Sequence, residues 1–194
     1  MNPRPLQLGI SLVAQDPLDS LFEAEVARQA GFDFVFMIDQ LTDSNGRSRS
    51  GGRLVSPPVS EAELAVDASD RLLSMATRTA TTVGISPFGG EEAVALRAGY
   101  ARDQLALMVD EVQLAFSFLQ VSIDDPSDLS VLRQLVPGAP EHQLRQMATL
   151  LDGPTTAAAD RIRRFRHLGI SYFTFHKSAA TSWTTLGELA DAVR

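Results

Sequence analysis

Short apolar runs and helix-period segments take turns along this chain, and that alternation leaves few architectures open. LQLGISLVA, residues 6–14, reads as a buried strand. A helix over 17–30 follows, with Asp16 as its N-cap and Pro17 at the first helical position, where a missing N–H costs nothing. Leu18, Phe22, Val26 and Ala30 recur every fourth residue and mark its core face, and Gly31 ends it. FDFVFMI, 32–38, is a second strand, apolar almost without interruption, as suits a parallel strand covered on both faces. Residues 42–60 break the rhythm with Ser, Gly, Pro and Arg and read as one long loop. No domain boundary is needed there, because the residues before it are too few for a core of their own.

The alternation then resumes. ELAV, 63–66, is a short strand, followed by a helix over 69–80 and the strand TTVGI, 81–85. The helix over 91–110 carries Val94, Ala98, Ala101, Leu105 and Met108 on one side. EVQLAFSFLQV, 111–121, is the longest strand. Its large residues Val112, Leu114, Phe116 and Phe118 alternate with Gln113, Ala115 and Ser117, so in a barrel the larger set packs under helices and the smaller set faces the lumen. Helices near 126–136 and 140–151, a helix over 155–168, the strand ISYFTFH, 170–176, and a helix over 184–193 complete the chain. The class predicted is α/β with a parallel sheet in one domain, residues 1–194.

Composition narrows the chemistry. There is no cysteine, which excludes disulfides, thiolate catalysis and zinc–thiolate sites. The net charge is −7 and Lys177 is the only lysine, a poor match to a phosphate backbone, so no nucleic-acid partner is expected. Arg161, Arg163, Arg164 and Arg166 cluster, but Ala159, Ile162 and Phe165 give their helix an apolar stripe and leave the arginines a solvated face. The opening MNPRPLQLG lacks the apolar core of a signal peptide, and no apolar run approaches the roughly 20 residues of a membrane span. A cytoplasmic protein without a membrane partner is expected.

Several stretches, in order, resemble the luciferase-like oxidoreductase superfamily. They are LGISLVAQDP, ARQAGFDFVFMIDQL, RLLSMATRTATTVGISP and DGPTTAAADRIRRFRHLGISYFTFHK. The resemblance implies an eight-stranded (β/α) barrel that uses FMN or a deazaflavin. A full barrel takes about 250 residues, whereas six strands are legible here and the shortfall lies between Leu41 and Glu63. SGGRL, 50–54, resembles the family's turn into strand four. The expected fold is therefore a contracted or incomplete (β/α) TIM-type barrel with mostly parallel strands. Uncovered sheet edges in such a barrel point to a homodimer.

Two departures from the family bear on the cofactor. Where the family has a glycine-rich turn at the cofactor phosphate, this chain has VDASDRLL, 66–73, with Asp67 and Asp70, which cap a helix start and repel phosphate. Where the family's second strand closes on Asp-His, this one has Asp39-Gln40, and glutamine orients a ligand but moves no proton. Gly89-Gly90 before the helix over 91–110 is followed at once by Glu91 and Glu92, which reads as a helix start rather than an anion site. No tightly bound cofactor is expected, with FMN or deazaflavin as the alternative.

Polar residues at strand ends supply the candidates. Asp39 and His176, on strands that each flank the first, are the catalytic acid–base pair; the plainer alternative is that His176 caps the sheet and Asp39 accepts N–H groups of its loop. Gln15, Gln40, Ser86, Gln113, Ser117 and Phe116 are the substrate contacts, and Asp67, Gln120, Ser122 and Lys177 are further polar groups at strand ends. His142 and His167 read as surface residues, and no metal-ligand spacing occurs. The function expected is flavin-independent cyclisation, isomerisation or rearrangement of an apolar small molecule. A flavin- or deazaflavin-dependent oxidoreductase and a non-catalytic ligand-binding protein are the alternatives.

Overall fold

Parallel strands need a crossover between them, and this chain supplies helices for that purpose. The computed structural model describes residues 5–14, 17–42, 48–54, 64–66, 82–105, 113–177 and 181–194. The first half holds β1 (Gln7–Ala14), α1 (Pro17–Gln29), β2 (Phe34–Thr42), β3 (Ser48–Leu54), β4 (Leu64–Val66), β5 (Thr82–Ile85) and α2 (Glu91–Leu105). The second half holds β6 (Gln113–Phe118), β7 (Gln120–Ser122), α3 (Ser130–Leu135), α4 (Glu141–Arg145), β8 (Leu150–Asp152), α5 (Thr155–His167), β9 (Ile170–His176) and α6 (Trp183–Val193). Seven strands form one sheet in the order β3-β2-β1-β9-β6-β5-β4, and β7 and β8 form a small second sheet. Every pair is parallel except β2–β3. The expected α/β class with a mostly parallel sheet is the class observed, and β1 and β2 are adjacent and parallel, as expected of a strand–helix–strand unit.

The register sorts residues into two faces. Leu8 and Ile10 align with Phe173 and Phe175, which align in turn with Phe116 and Phe118. This row, with Leu12, Val83, Ile85 and Leu114, packs against Ala27, Val94, Ala98, Ala101, Ile162, Phe165, Leu186 and Leu189 from the helices. Phe118 has no exposed surface, and its ring centroid lies 5.5 Å from that of Phe175 and 5.1 Å from that of Phe116. Each such side chain contributes about 1.5–3 kcal/mol by leaving water.

Four expectations are corrected here. In α1 Ala27 is buried and Ala24 and Ala30 pack against the core, whereas Phe22 of the expected every-fourth-residue stripe is 72% exposed. With 3.6 residues per turn a step of four drifts by about 40°, so Phe22 and Ala30, two steps apart, face directions about 80° from each other. Ser48–Leu54, inside the expected loop, is a strand antiparallel to β2, held by its backbone ladder rather than by an apolar pattern. The long strand over 111–121 breaks at Leu119 into β6 and β7, which belong to different sheets. Thr149 bridges that break: its Oγ1 accepts from the Leu119 N–H at 2.8 Å and donates to the Ser117 carbonyl at 2.9 Å. The expected helix over 140–151 stops early, because Leu150 and Leu151 are both buried and enter β8. The expected helix over 69–80 lies outside the described residues. No helix among the described residues is long and apolar enough to cross a membrane.

Candidate functional site

The opposite face of the sheet is built from small and polar residues. Gln7, Gly9 and Ser11 of β1 align with Tyr172, Thr174 and His176 of β9. Tyr172 and Thr174 align with Ala115 and Ser117 of β6, and Gly84 of β5 aligns with Ala115. Ser11, Gly84, Ala115, Ser117, Thr174 and His176 are only half-buried, whereas the helix-side row is closed.

One end of this face has an aromatic floor. The Phe34 ring stacks on Tyr172 with centroids 4.5 Å apart and planes 11° from parallel. β1 runs between their two strands, so the Phe34 ring must cross it, and it does so at Gly9. A Cβ added at Gly9 would come within 1.8 Å of the ring, so this position has room only for glycine. Beside the floor, Gln113 Nε2 donates to Gln7 Oε1 at 2.8 Å. One step along, the Ser117 and Thr174 hydroxyls lie 2.6 Å apart and share a hydrogen bond.

His176 stands at the other end, two residues beyond Thr174 on the same face of β9. Its imidazole makes no hydrogen bond with the described residues, and burial lowers its pKa from the ordinary value of 6.5. It is therefore neutral near pH 7, able to accept a proton or a hydrogen bond. The chain beyond it is fixed at the rim. The Lys177 ammonium lies 5.3 Å from the centre of the Trp183 ring, a cation–π distance. Ser182 Oγ caps α6 by accepting from the Thr185 N–H at 3.1 Å. Asp124 accepts from the Thr185 hydroxyl at 2.6 Å and from the Ser182 N–H at 2.7 Å, and these bonds hold its carboxyl below the usual range.

The expected site residues divide between the faces. Gln113, Ser117 and His176 come together on the small-residue face. Ser86 follows the Thr82–Gly84 row, and its buried hydroxyl has no hydrogen-bond partner among the described residues. Phe116 is buried and lies away from the small-residue face. The alternation of β6 puts it on the helix side, where its ring centroid is 4.9 Å from that of Phe165. Asp39 aligns with Ala14, whereas His176 aligns with Ser11. An offset of three residues is about 10 Å along the strands, and two strand spacings across add to it. The expected Asp39–His176 pair turns on the Asp39 side chain, which lies outside the described residues. Gln15, Asp67 and Asp70 lie outside the described residues, as do the side chains of Asp39 and Gln40.

Gln120 and Ser122 hold structure together instead. The fully buried Gln120 amide donates to Ser122 Oγ at 2.9 Å and to Asp128 Oδ2 at 3.2 Å, and its oxygen accepts from the Val131 N–H at 2.9 Å. That network ties β7 to α3. Thr174, Tyr172, Gly9 and Ser11 belong to the site but are not among the residues expected from sequence. Their signal is the same alternation that singles out Gln113 and Ser117 on β6.

Charge elsewhere on the chain is also structural. Arg161 and Arg164 reach Glu91 at 2.7 and 3.2 Å. A cavity of about 470 Å³ is lined by Arg163, Arg166, His167 and Arg194, at the C-terminal ends of α5 and α6. There Arg163 donates to the Ala192 carbonyl and Arg194 to the Gly31 carbonyl, so both satisfy backbone acceptors near helix ends.

The turn before α2 does not fit a cofactor phosphate. Glu91 and Glu92 occupy its first helical turn, the Ala148 N–H donates to the Gly89 carbonyl at 2.8 Å, and a Cβ at Gly90 would lie 3.6 Å from the Gln146 carbonyl oxygen. Among the described residues no cluster of three or more His, Asp or Glu side chains suits a metal ion. No protein-family model and no curated protein matches the chain, so the likeness to the luciferase-like superfamily rests on the sequence stretches quoted above.

Proposed function

We propose that the small-residue face binds a largely apolar small molecule and that His176 exchanges a proton with it. The chain then acts as a flavin-independent isomerase or cyclase on a contracted (β/α) barrel. The observation that carries this reading is the neutral His176 imidazole, without a described hydrogen-bond partner, above a half-open row of small side chains. A structural histidine ordinarily bonds a backbone or side-chain group; one that faces small residues leaves its nitrogens to a ligand. Gly84, Ala115 and Ser117 are small and half-buried, and the buried Phe34–Tyr172 stack closes the end of their face.

The test is a titration of isotope-labelled protein with naphthalene, a planar apolar probe, followed by NMR. Signals of Ser11, Ala115, Ser117, Thr174 and His176 should move together. Movement confined to helix-side residues, or none, would refute the reading. FMN titrated in the same way should leave these signals in place; binding with a Kd of about 1 μM or tighter would favour flavin-dependent oxidation instead.

A further inference from the structure

We infer that the substrate is an enolisable carbonyl compound, whose oxygen is held by the Ser117–Thr174 hydroxyl pair while His176 removes the proton from the neighbouring carbon. This rests on the small-residue face being the binding surface. Two hydroxyls carry two O–H groups, and their mutual bond at 2.6 Å uses one. Thr149 occupies the Ser117 carbonyl rather than either hydroxyl. Among the described residues no acceptor takes the second O–H, and the pair is half-buried, so this O–H is the donor assigned to a ligand oxygen.

Spacing comes next. Thr174 and His176 lie on one face of one strand, two residues apart, which is about 7 Å. A bound carbonyl oxygen accepts a hydroxyl hydrogen bond at about 2.8 Å. The carbon that bears the acidic hydrogen lies two bonds from that oxygen, and a base works from about 3 Å. The bent chain from donor through substrate to base therefore matches the interval between the two side chains. A ligand with only an isolated hydroxyl or a hydrocarbon skeleton engages one end and not the other.

The step balances without a co-reactant. The C–H bond breaks and its proton goes to an imidazole nitrogen. Its electron pair becomes the carbon–carbon double bond, and the carbonyl π pair moves onto oxygen. The charge that develops there meets the free O–H of the pair, a donor already in place. Where the carbonyl compound carries a β,γ double bond the enolate extends into a dienolate, and return of the proton from the imidazole to its γ-carbon, with the double bond moved into conjugation, completes an isomerisation.

Naphthol and naphthalene test this directly. The oxygen of naphthol sits on a planar apolar frame, and its anion resembles an enolate. Naphthol should bind more tightly than naphthalene by about tenfold, the value of one hydrogen bond to its oxygen. In a Ser117→Ala/Thr174→Val double variant the preference should fall to within about twofold, while naphthalene still moves the signals of Ser11, Ala115 and His176 and so shows the face intact. Equal binding of both probes to the unaltered protein would overturn the enolate inference and leave the binding face standing. A preference that survives the double variant would also overturn it. Binding of neither probe would remove the binding face and this inference together.

Discussion

The two faces of the central sheet are made by the same strands, residue by alternate residue, yet they differ in every physical respect. On the helix side Phe116, Phe118, Phe173 and Phe175 leave no exposed surface to speak of, and Phe165 of α5 closes over them. On the other side the neighbouring positions are Ala115, Ser117, Thr174 and His176, half-buried and rich in hydroxyls. A period of two lets one strand serve stability and recognition at once, because a change on one face need not disturb the other. β6 shows this most plainly, with burial alternating along its whole length.

Breaking the helix-side face should have the largest effect. Phe118→Ala empties a site with no solvent exposure and stacked ring neighbours, and chemical denaturation should read a loss of about 3–5 kcal/mol. The face distinction is wrong if that variant costs no more than a surface change. Gly9→Ala comes next. It forces the Phe34 ring off Tyr172, at about 1–3 kcal/mol for an overpacked position. Combining it with Phe34→Ala should restore part of that loss, since the clash then has no ring to meet; additive losses would show the stack is not its cause.

Ser117→Ala should be milder still. It removes one half-buried hydroxyl bond, worth about 0.5–1.5 kcal/mol, and the core should unfold with unchanged cooperativity. The finest contrast is in pH. Burial lowers the His176 pKa from 6.5 in the folded chain, so between the two values the unfolded chain binds more protons. Stability contributed by this group is complete above pH 6.5 and declines as the pH falls toward the lowered value. Denaturation curves of His176→Gln should lose that component of the acid-side decline, and an identical pH profile would place the titration elsewhere.

Much of this arrangement is legible in the chain. β1, β2 and β9 announce themselves by apolar runs bounded by turn residues, and the pairing of β1 with β2 follows from their single-helix crossover. The alternation of large and small residues in β6 by itself separates the two faces of that strand. Register is another matter. Asp39 and His176 both stand near strand ends, but sequence carries no measure of how far one strand is staggered against the next, so their pairing is not readable from it. β3 is equally hard to read, because an edge strand of Ser, Arg and Gly is held by main-chain bonds, which composition does not reveal. Asn45-Gly46 between β2 and β3 is a pair favoured in hairpin turns and is the available clue. The break at Leu119 depends on Thr149, a partner distant in sequence.

That break has a consequence for how the chain can change. β7 and β8 lie side by side, with Gln120 opposite Leu150, so the excursion from Ile123 to Thr149 leaves and returns at nearly one point. Its own small core of Leu129, Leu132, Leu144 and Leu150 is separate from the main one. A segment closed at its base in this way can grow, shrink or be exchanged at little entropic cost, since the closure term rises only slowly with length. Thr149 holds the hinge end and the Ser117 carbonyl together, so the hydroxyl pair keeps its place whatever hangs from the base. Replacement has a fixed boundary, however: Asp124 anchors Ser182 and Thr185, and Asp128 and Val131 satisfy the buried Gln120 amide, so change is tolerated beyond Val131 rather than before it.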